Sequence, residues 1–310
     1  MAPDHGKGHN EVASKESHYL TGIYRSLAER SDARPDMDLA TMRDLFEEIH
    51  LVTREPVGVS YAEVDAGGVP ALWCIPDDHD PDRALLHFHG GGFMVCSMHT
   101  DRKMAGHLAK AAGARALVLD YRHAPEHPFP AALDDAVVAY EWLLGQGIGQ
   151  VVSIGHSAGG NLCTSLAIRL RAEGRPAPAA VVAISPWYDM TLSGTTMDTN
   201  AATDAVVRRP ILEAMRAAVL GDTSPEHPLI NPLCADLGGL PPTLVYVGDQ
   251  ETLVSDATTF TERAREAGAE VTLHVVPEMQ HSFTLLAGRA PEADATISDI
   301  GQWLRDRLAK

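Results

Sequence analysis

A serine set between two glycines, Gly155-His156-Ser157-Ala158-Gly159, is the segment of this chain best suited to covalent chemistry. An apolar run, Val151 to Ile154, precedes it, and a helix-length segment, Ala158 to Glu173, follows. In a strand–G-x-S-x-G–helix arrangement the flanking glycines permit a sharp turn that lifts the serine hydroxyl to where a base can reach it. Ser157 at a helix N-terminus also aims the Ala158 amide at any oxyanion formed there. The five-residue pattern alone is weak evidence; its context carries the reading, which is nucleophilic attack on an acyl carbon.

A second motif, His89-Gly90-Gly91-Gly92-Phe93, directly follows the apolar run Ala84 to Phe88. Consecutive glycines weaken regular structure, so packing does not explain them. They let backbone amides approach a ligand and bind the negative oxygen of a tetrahedral intermediate. A phosphate cradle is disfavoured, because both the G-K-[ST] ending and the G-x-G-x-x-G pattern are absent. Such a machine needs a late base. Among 15 histidines, His281 alone combines that order with a loop leaving the last strand-like run, Val271 to Val276; His274 lies inside the run. The acid is open at this point. Gly248 to Asp256 offers Asp249, Glu251 and Asp256. Asp256 falls in a helix's first turn, where it offsets the dipole, and spacing does not separate Asp249 from Glu251.

The elements that must hold these residues read as alternating strand and helix. Strand-like runs occupy 71–75, 84–88, 116–119, 151–154, 181–184, 244–247 and 271–276, several of them apolar throughout, as in a parallel sheet buried on both faces. Helix-length segments span 102–112, 131–144, 158–173 and about 255–267, followed by Gly113, Gly145, Gly174 and Gly268 as C′ residues. The alternation predicts a helix-covered, mostly parallel sheet. Two stretches break it. One is N-terminal, with an amphipathic helix over 37–50; the other is 190–230, with a helix over 211–220. They are expected to pack together as a lid over the sheet's C-terminal edge. Residues 1–17 read as a flexible polar tail.

Composition narrows the partners. A net charge of −17 disfavours nucleic acid, whose phosphates need clustered Lys and Arg, and disfavours an anionic membrane surface. The four cysteines (Cys74, Cys96, Cys163, Cys234) form no C-x-x-C pair, so no disulfide framework or metal site is expected. The N-terminus lacks an apolar signal core and no apolar run reaches membrane-spanning length, which makes the cytoplasm the expected location.

HGGGF, DYRHAPEHPFPAALDD (Asp120 to Asp135), GHSAGGNL, GDQETLVSDA and QHSF together resemble the hormone-sensitive lipase family of esterases over about residues 80–310. The resemblance implies an α/β-hydrolase fold, an eight-stranded, mostly parallel sheet flanked by helices with a helical cap. Residues 18–55 and the 190–230 insertion would form that cap on a core of 56–189 and 231–310. It implies Glu251 as acid, because Leu253 two residues on and Asp256 five on fit the family frame, whereas Asp249 does not. It implies the amides of Gly91, Gly92 and Ala158 as oxyanion donors, with His89, Gly90, Gly155, Gly159 and Asp256 as motif and support residues. The Tyr121–Glu126 block would be structural, near the oxyanion loop. A homodimer is compatible with the resemblance.

The expected reaction is hydrolysis of a short- to medium-chain acyl ester, a small-molecule substrate, with no metal or organic cofactor needed. Lactone hydrolysis and deacetylation would use the same triad. Non-catalytic small-molecule binding and peptide or amide hydrolysis are the remaining rivals; the presence of both Ser157 and His281 in working contexts disfavours the binder.

Overall fold

The computed structural model describes residues 13–34 and 36–308. Eight strands form one sheet in the order β1-β2-β4-β3-β5-β6-β7-β8: β1 (Val59–Asp65), β2 (Pro70–Pro76), β3 (Arg83–Phe88), β4 (Arg115–Leu119), β5 (Gln150–His156), β6 (Ala180–Ile184), β7 (Thr243–Gly248) and β8 (Val271–Val276). β1–β2 and β2–β4 pair antiparallel, and every later pairing is parallel. Residues of β6 and β7 are buried throughout, as the unbroken apolar runs require of central strands.

β1 is absent from the expected runs, because its sequence VSYAEVD scatters Ser60, Glu63 and Asp65 without alternation and lies at the sheet's edge with no residue fully buried. The helices are α1 (His18–Asp32), α2 (Leu39–Glu47), α3 (Met98–Ala112), α4 (Ala131–Gly145), α5 (Ala158–Ala172), the short α6 (Thr196–Thr199), α7 (Arg209–Leu220), α8 (Val254–Glu266) and α9 (Pro291–Leu308). α3 starts before Arg102, the expected start, because Ser97 and Thr100 make a reciprocal capping box. Gly145 is the last residue of α4 rather than its C′ glycine; Gly147 takes the positive φ, +80°. The helix expected over 37–50 is α2 followed by a 3₁₀ turn, Glu48–Leu51.

Of the tail expected over 1–17, residues 1–12 lie outside the described residues. Its end is docked: the Ala13 amide donates to the Glu278 carboxylate, and the Ser14 amide and hydroxyl donate to Glu292. The two helical segments that interrupt the alternation meet, Arg208 forming a two-point ion pair with Asp32 of α1. Arg43 of α2 donates to the Met94 carbonyl and pairs with Glu126. Both segments therefore sit at the loops that leave the parallel strands, the edge where such sheets bind ligands.

Candidate active site

Ser157 occupies the turn between β5 and α5 with φ +55° and ψ −121°, a conformation that L residues rarely adopt. Such strain costs on the order of 1–3 kcal/mol and persists only where surroundings impose it. Here they do. The Ser157 amide donates to the Ile184 carbonyl at 2.9 Å, and its carbonyl accepts from the Trp187 amide at 3.1 Å. The flanking glycines are required by close approach: a Cβ on Gly159 would lie 2.0 Å from the Phe88 oxygen, and one on Gly155 would lie 2.3 Å from the Gly159 oxygen.

The glycine loop lies beside this turn. The His89 imidazole is fully buried, stacks on Tyr121 at 4.2 Å, and is pushed down to about 4 by burial, so it is neutral near pH 7. The Tyr121 hydroxyl donates to the His89 carbonyl at 2.9 Å, which gives the Tyr121–Glu126 block a structural task at this loop. The Gly90 amide lies 2.9 Å from His156 Nε2, which accepts from it when that nitrogen is unprotonated. Among the described residues the Gly91 and Gly92 amides have no protein acceptor, and the Ala158 amide begins α5. These three are free to serve a ligand.

The structure separates the carboxylates that spacing left together. Glu251 is fully buried. Its Oε2 lies 2.8 Å from His281 Nδ1, and its Oε1 accepts from the Ser185 hydroxyl and the Gly248 amide, each at 2.6 Å. Burial alone would lower the His281 pKa; the hydrogen bond and charge of Glu251 outweigh it and leave it above the ordinary imidazole value. Asp249 Oδ1 instead accepts from the Glu278 amide at 2.7 Å. Asp256 accepts from the Tyr188 and Asp189 amides, each at 2.8 Å, and so anchors the chain leaving β6; burial pushes its carboxyl up to about 7. His274 stacks on Tyr246.

Sequence reasoning missed several supports. The Tyr24 hydroxyl of α1 donates to the His281 carbonyl at 2.9 Å. Ser185 links Glu251 to the Ser282 amide. Asn200 donates to the carbonyls of Asp249 and Glu251, and Asp204 accepts from the Thr252 amide, so the 190–230 segment pins the acid loop. Only Ser185 carried a local signal, its place at the end of β6.

Ser157, His281, Gly91 and Gly92 line one cavity that opens to solvent. Its apolar lining includes Phe46 and Ile49 from the N-terminal segment and Val206, Ile211, Leu212 and Met215 from the 190–230 segment. Among the described residues no cluster of His, Cys, Asp and Glu has metal-binding geometry, and no helix is long and apolar enough to cross a membrane.

A family model described as the alpha/beta hydrolase fold matches residues 85–285. An acetyl-hydrolase of Streptomyces hygroscopicus is 41% identical over 244 residues, which is 78% of this chain and 81% of that protein. The esterase LipU of Mycobacterium tuberculosis is 35% identical over 80% of this chain and 86% of its own length. A crystal structure of an esterase from the bacterial hormone-sensitive lipase family superposes with a TM-score of 0.91 at 39% identity, covering 96% of this chain and 99% of that one. The protein EstE5, in a crystal soaked with p-nitrophenyl butyrate, superposes with a TM-score of 0.89 at 34% identity, covering 96% of this chain and 100% of that one.

Proposed function

This chain belongs to the hormone-sensitive lipase family of α/β-hydrolase esterases, and we propose on that footing that it hydrolyses short- to medium-chain acyl esters through Ser157, His281 and Glu251. The contact of His281 Nδ1 with the buried Glu251 carboxylate, in the cavity that also holds Ser157, carries this reading. With Nδ1 donating to Glu251, His281 Nε2 is unprotonated and takes the Ser157 proton as Oγ attacks the ester carbonyl. The resulting oxyanion is bound by the Gly91, Gly92 and Ala158 amides. His281 then gives its proton to the departing alkoxide, which leaves as the alcohol, and an acyl-enzyme remains. Water, deprotonated by His281, releases the acid and restores Ser157.

Residues 18–55 and 190–230 act as the cap of this site and set its depth. Met215 of α7 supports a short acyl limit: a Cβ on Gly92 would lie 2.2 Å from its sulfur, so this side chain lies directly on the oxyanion loop. The acetyl-hydrolase relative points the same way. Ser157→Ala should abolish turnover of p-nitrophenyl butyrate, and retention of substantial turnover would sink the proposal. In a series from acetyl to palmitoyl esters, kcat/KM should peak at or below medium length; a palmitoyl maximum would overturn the chain-length reading.

A further inference from the structure

We infer that His156, held by Asp101, is a positioning residue that sets the oxyanion loop and the His281 loop in register with the nucleophile. The inference rests on the triad reading above. Three loops distant in sequence must converge within the tolerance of the reaction, and a misplacement of about 1 Å can cost about 10²-fold in rate. The buried His156 ring touches all three. It immediately precedes Ser157. Its Nε2 lies 2.9 Å from the Gly90 amide, whose residue precedes Gly91. Its Nδ1 lies 2.8 Å from the hydroxyl of Ser282, which follows His281. The fit leaves no slack on the loop side, since a Cβ on Gly90 would lie 2.6 Å from His156 Cε1.

Asp101, in the first turn of α3 and 1% exposed, holds this ring. Its Oδ2 lies 2.8 Å from both His156 Nε2 and His87 Nε2. Among the described residues its Oδ1 has no partner, so every hydrogen bond of the carboxylate passes through one oxygen. Burial alone would raise this carboxyl; the two facing imidazoles outweigh it and hold it well below the usual carboxylate range. A buried charge of this kind is a poor source of stability compared with apolar packing, and fixing one geometry is its best-attested use. Gly90 and Asp101 also compete for one nitrogen. A protonated Nε2 donates to Asp101, whereas an unprotonated one accepts from Gly90. Glutamine would offer a donor and an acceptor on separate atoms, which makes it the conservative replacement.

The test measures kcat, KM and the affinity of a trifluoromethyl ketone, which adds to serine as an oxyanion, with active sites counted by titration. His156→Phe should lower kcat about 10²-fold with KM within about threefold, and ketone affinity should fall in parallel. His156→Gln should recover at least about tenfold of that loss. A purely structural role would reduce the titrated fraction and leave the ketone affinity of the surviving sites unchanged. Surviving sites of His156→Phe with kcat within about threefold of wild type, or a kcat loss without a ketone loss, would overturn the inference. If His156→Phe does not fold, Asp101→Asn decides by the same two readouts. A wild type that neither turns over ester nor binds the ketone would overturn the triad reading and this inference together. An active wild type matched by the variant overturns this inference alone.

Discussion

Replacing Glu251 with Gln keeps the side chain's volume and removes one charge from a site with no exposure to solvent. The Ser185 hydroxyl and Gly248 amide, both 2.6 Å from Oε1, claim the remaining carbonyl oxygen. The new amide group then faces His281 Nδ1, where a carboxylate oxygen stood at 2.8 Å. Nδ1 must accept, so Nε2 carries the proton and His281 no longer acts as a base. Tautomer reversal of this kind costs about 10⁴ in kcat in a serine protease triad, or about 5.5 kcal/mol of barrier. We expect a loss of about 10²–10⁴ for Glu251→Gln. The same charge raises the His281 pKa above the ordinary value. The neutral imidazole is the active form, so activity rises with pH through an acid limb that lies above the ordinary imidazole range. In the variant that limb should move to lower pH. The assay is kcat for p-nitrophenyl butyrate from about pH 5 to 9, corrected by active-site titration. Asp249→Asn is the control: its Oδ1 contact with the Glu278 amide survives the change, and kcat should stay within about threefold. Equal losses in the two variants, or Glu251→Gln within tenfold of wild type, would refute the reasoning.

Other changes should report on the supports around the triad. Tyr24→Phe removes the hydroxyl that holds the His281 carbonyl; it should cost about 0.5–1.5 kcal/mol of stability, read by urea unfolding, and lower kcat more than it raises KM. Asp256 holds its proton to about pH 7 when folded, above its unfolded value near 4, so wild-type stability falls as pH rises between those values. Asp256→Asn keeps an acceptor for the Tyr188 and Asp189 amides, and paired thermal melts should show wild type losing ground to the variant between about pH 4 and 7. Met215→Ala opens the cavity above Gly92; each accommodated methylene is worth about 0.8 kcal/mol, so the hexanoyl-to-butyryl ratio of kcat/KM should rise roughly tenfold. An unchanged ratio would remove Met215 from the acyl boundary.

The parts legible in the sequence are those whose signal is local. The G-x-S-x-G turn and the glycine loop carry their geometry within five residues each, and a central strand such as Val151 to Ile154 announces itself by being apolar throughout. β1 escaped notice because an edge strand needs only one packed face, and its tyrosine and acids read as loop. The start of α3 was hidden because its capping box closes with Thr100 rather than Glu or Gln. Asp249 and Glu251 differ by what faces them: one takes the amide of Glu278, the other meets His281 and Ser185, and spacing encodes neither. Tyr24 and Asp101 act across sequence separations, 257 residues between Tyr24 and His281, that no local pattern marks.

The central claim is that Ser157 is the nucleophile of an assembled esterase site. Treating the protein with a serine-reactive organophosphate while following p-nitrophenyl butyrate hydrolysis, then mapping the modified peptide by mass spectrometry, tests it directly. Activity should fall in step with one adduct per chain, located on Ser157. Full inactivation with the adduct on another residue, or turnover that persists with Ser157 fully modified, would contradict the account.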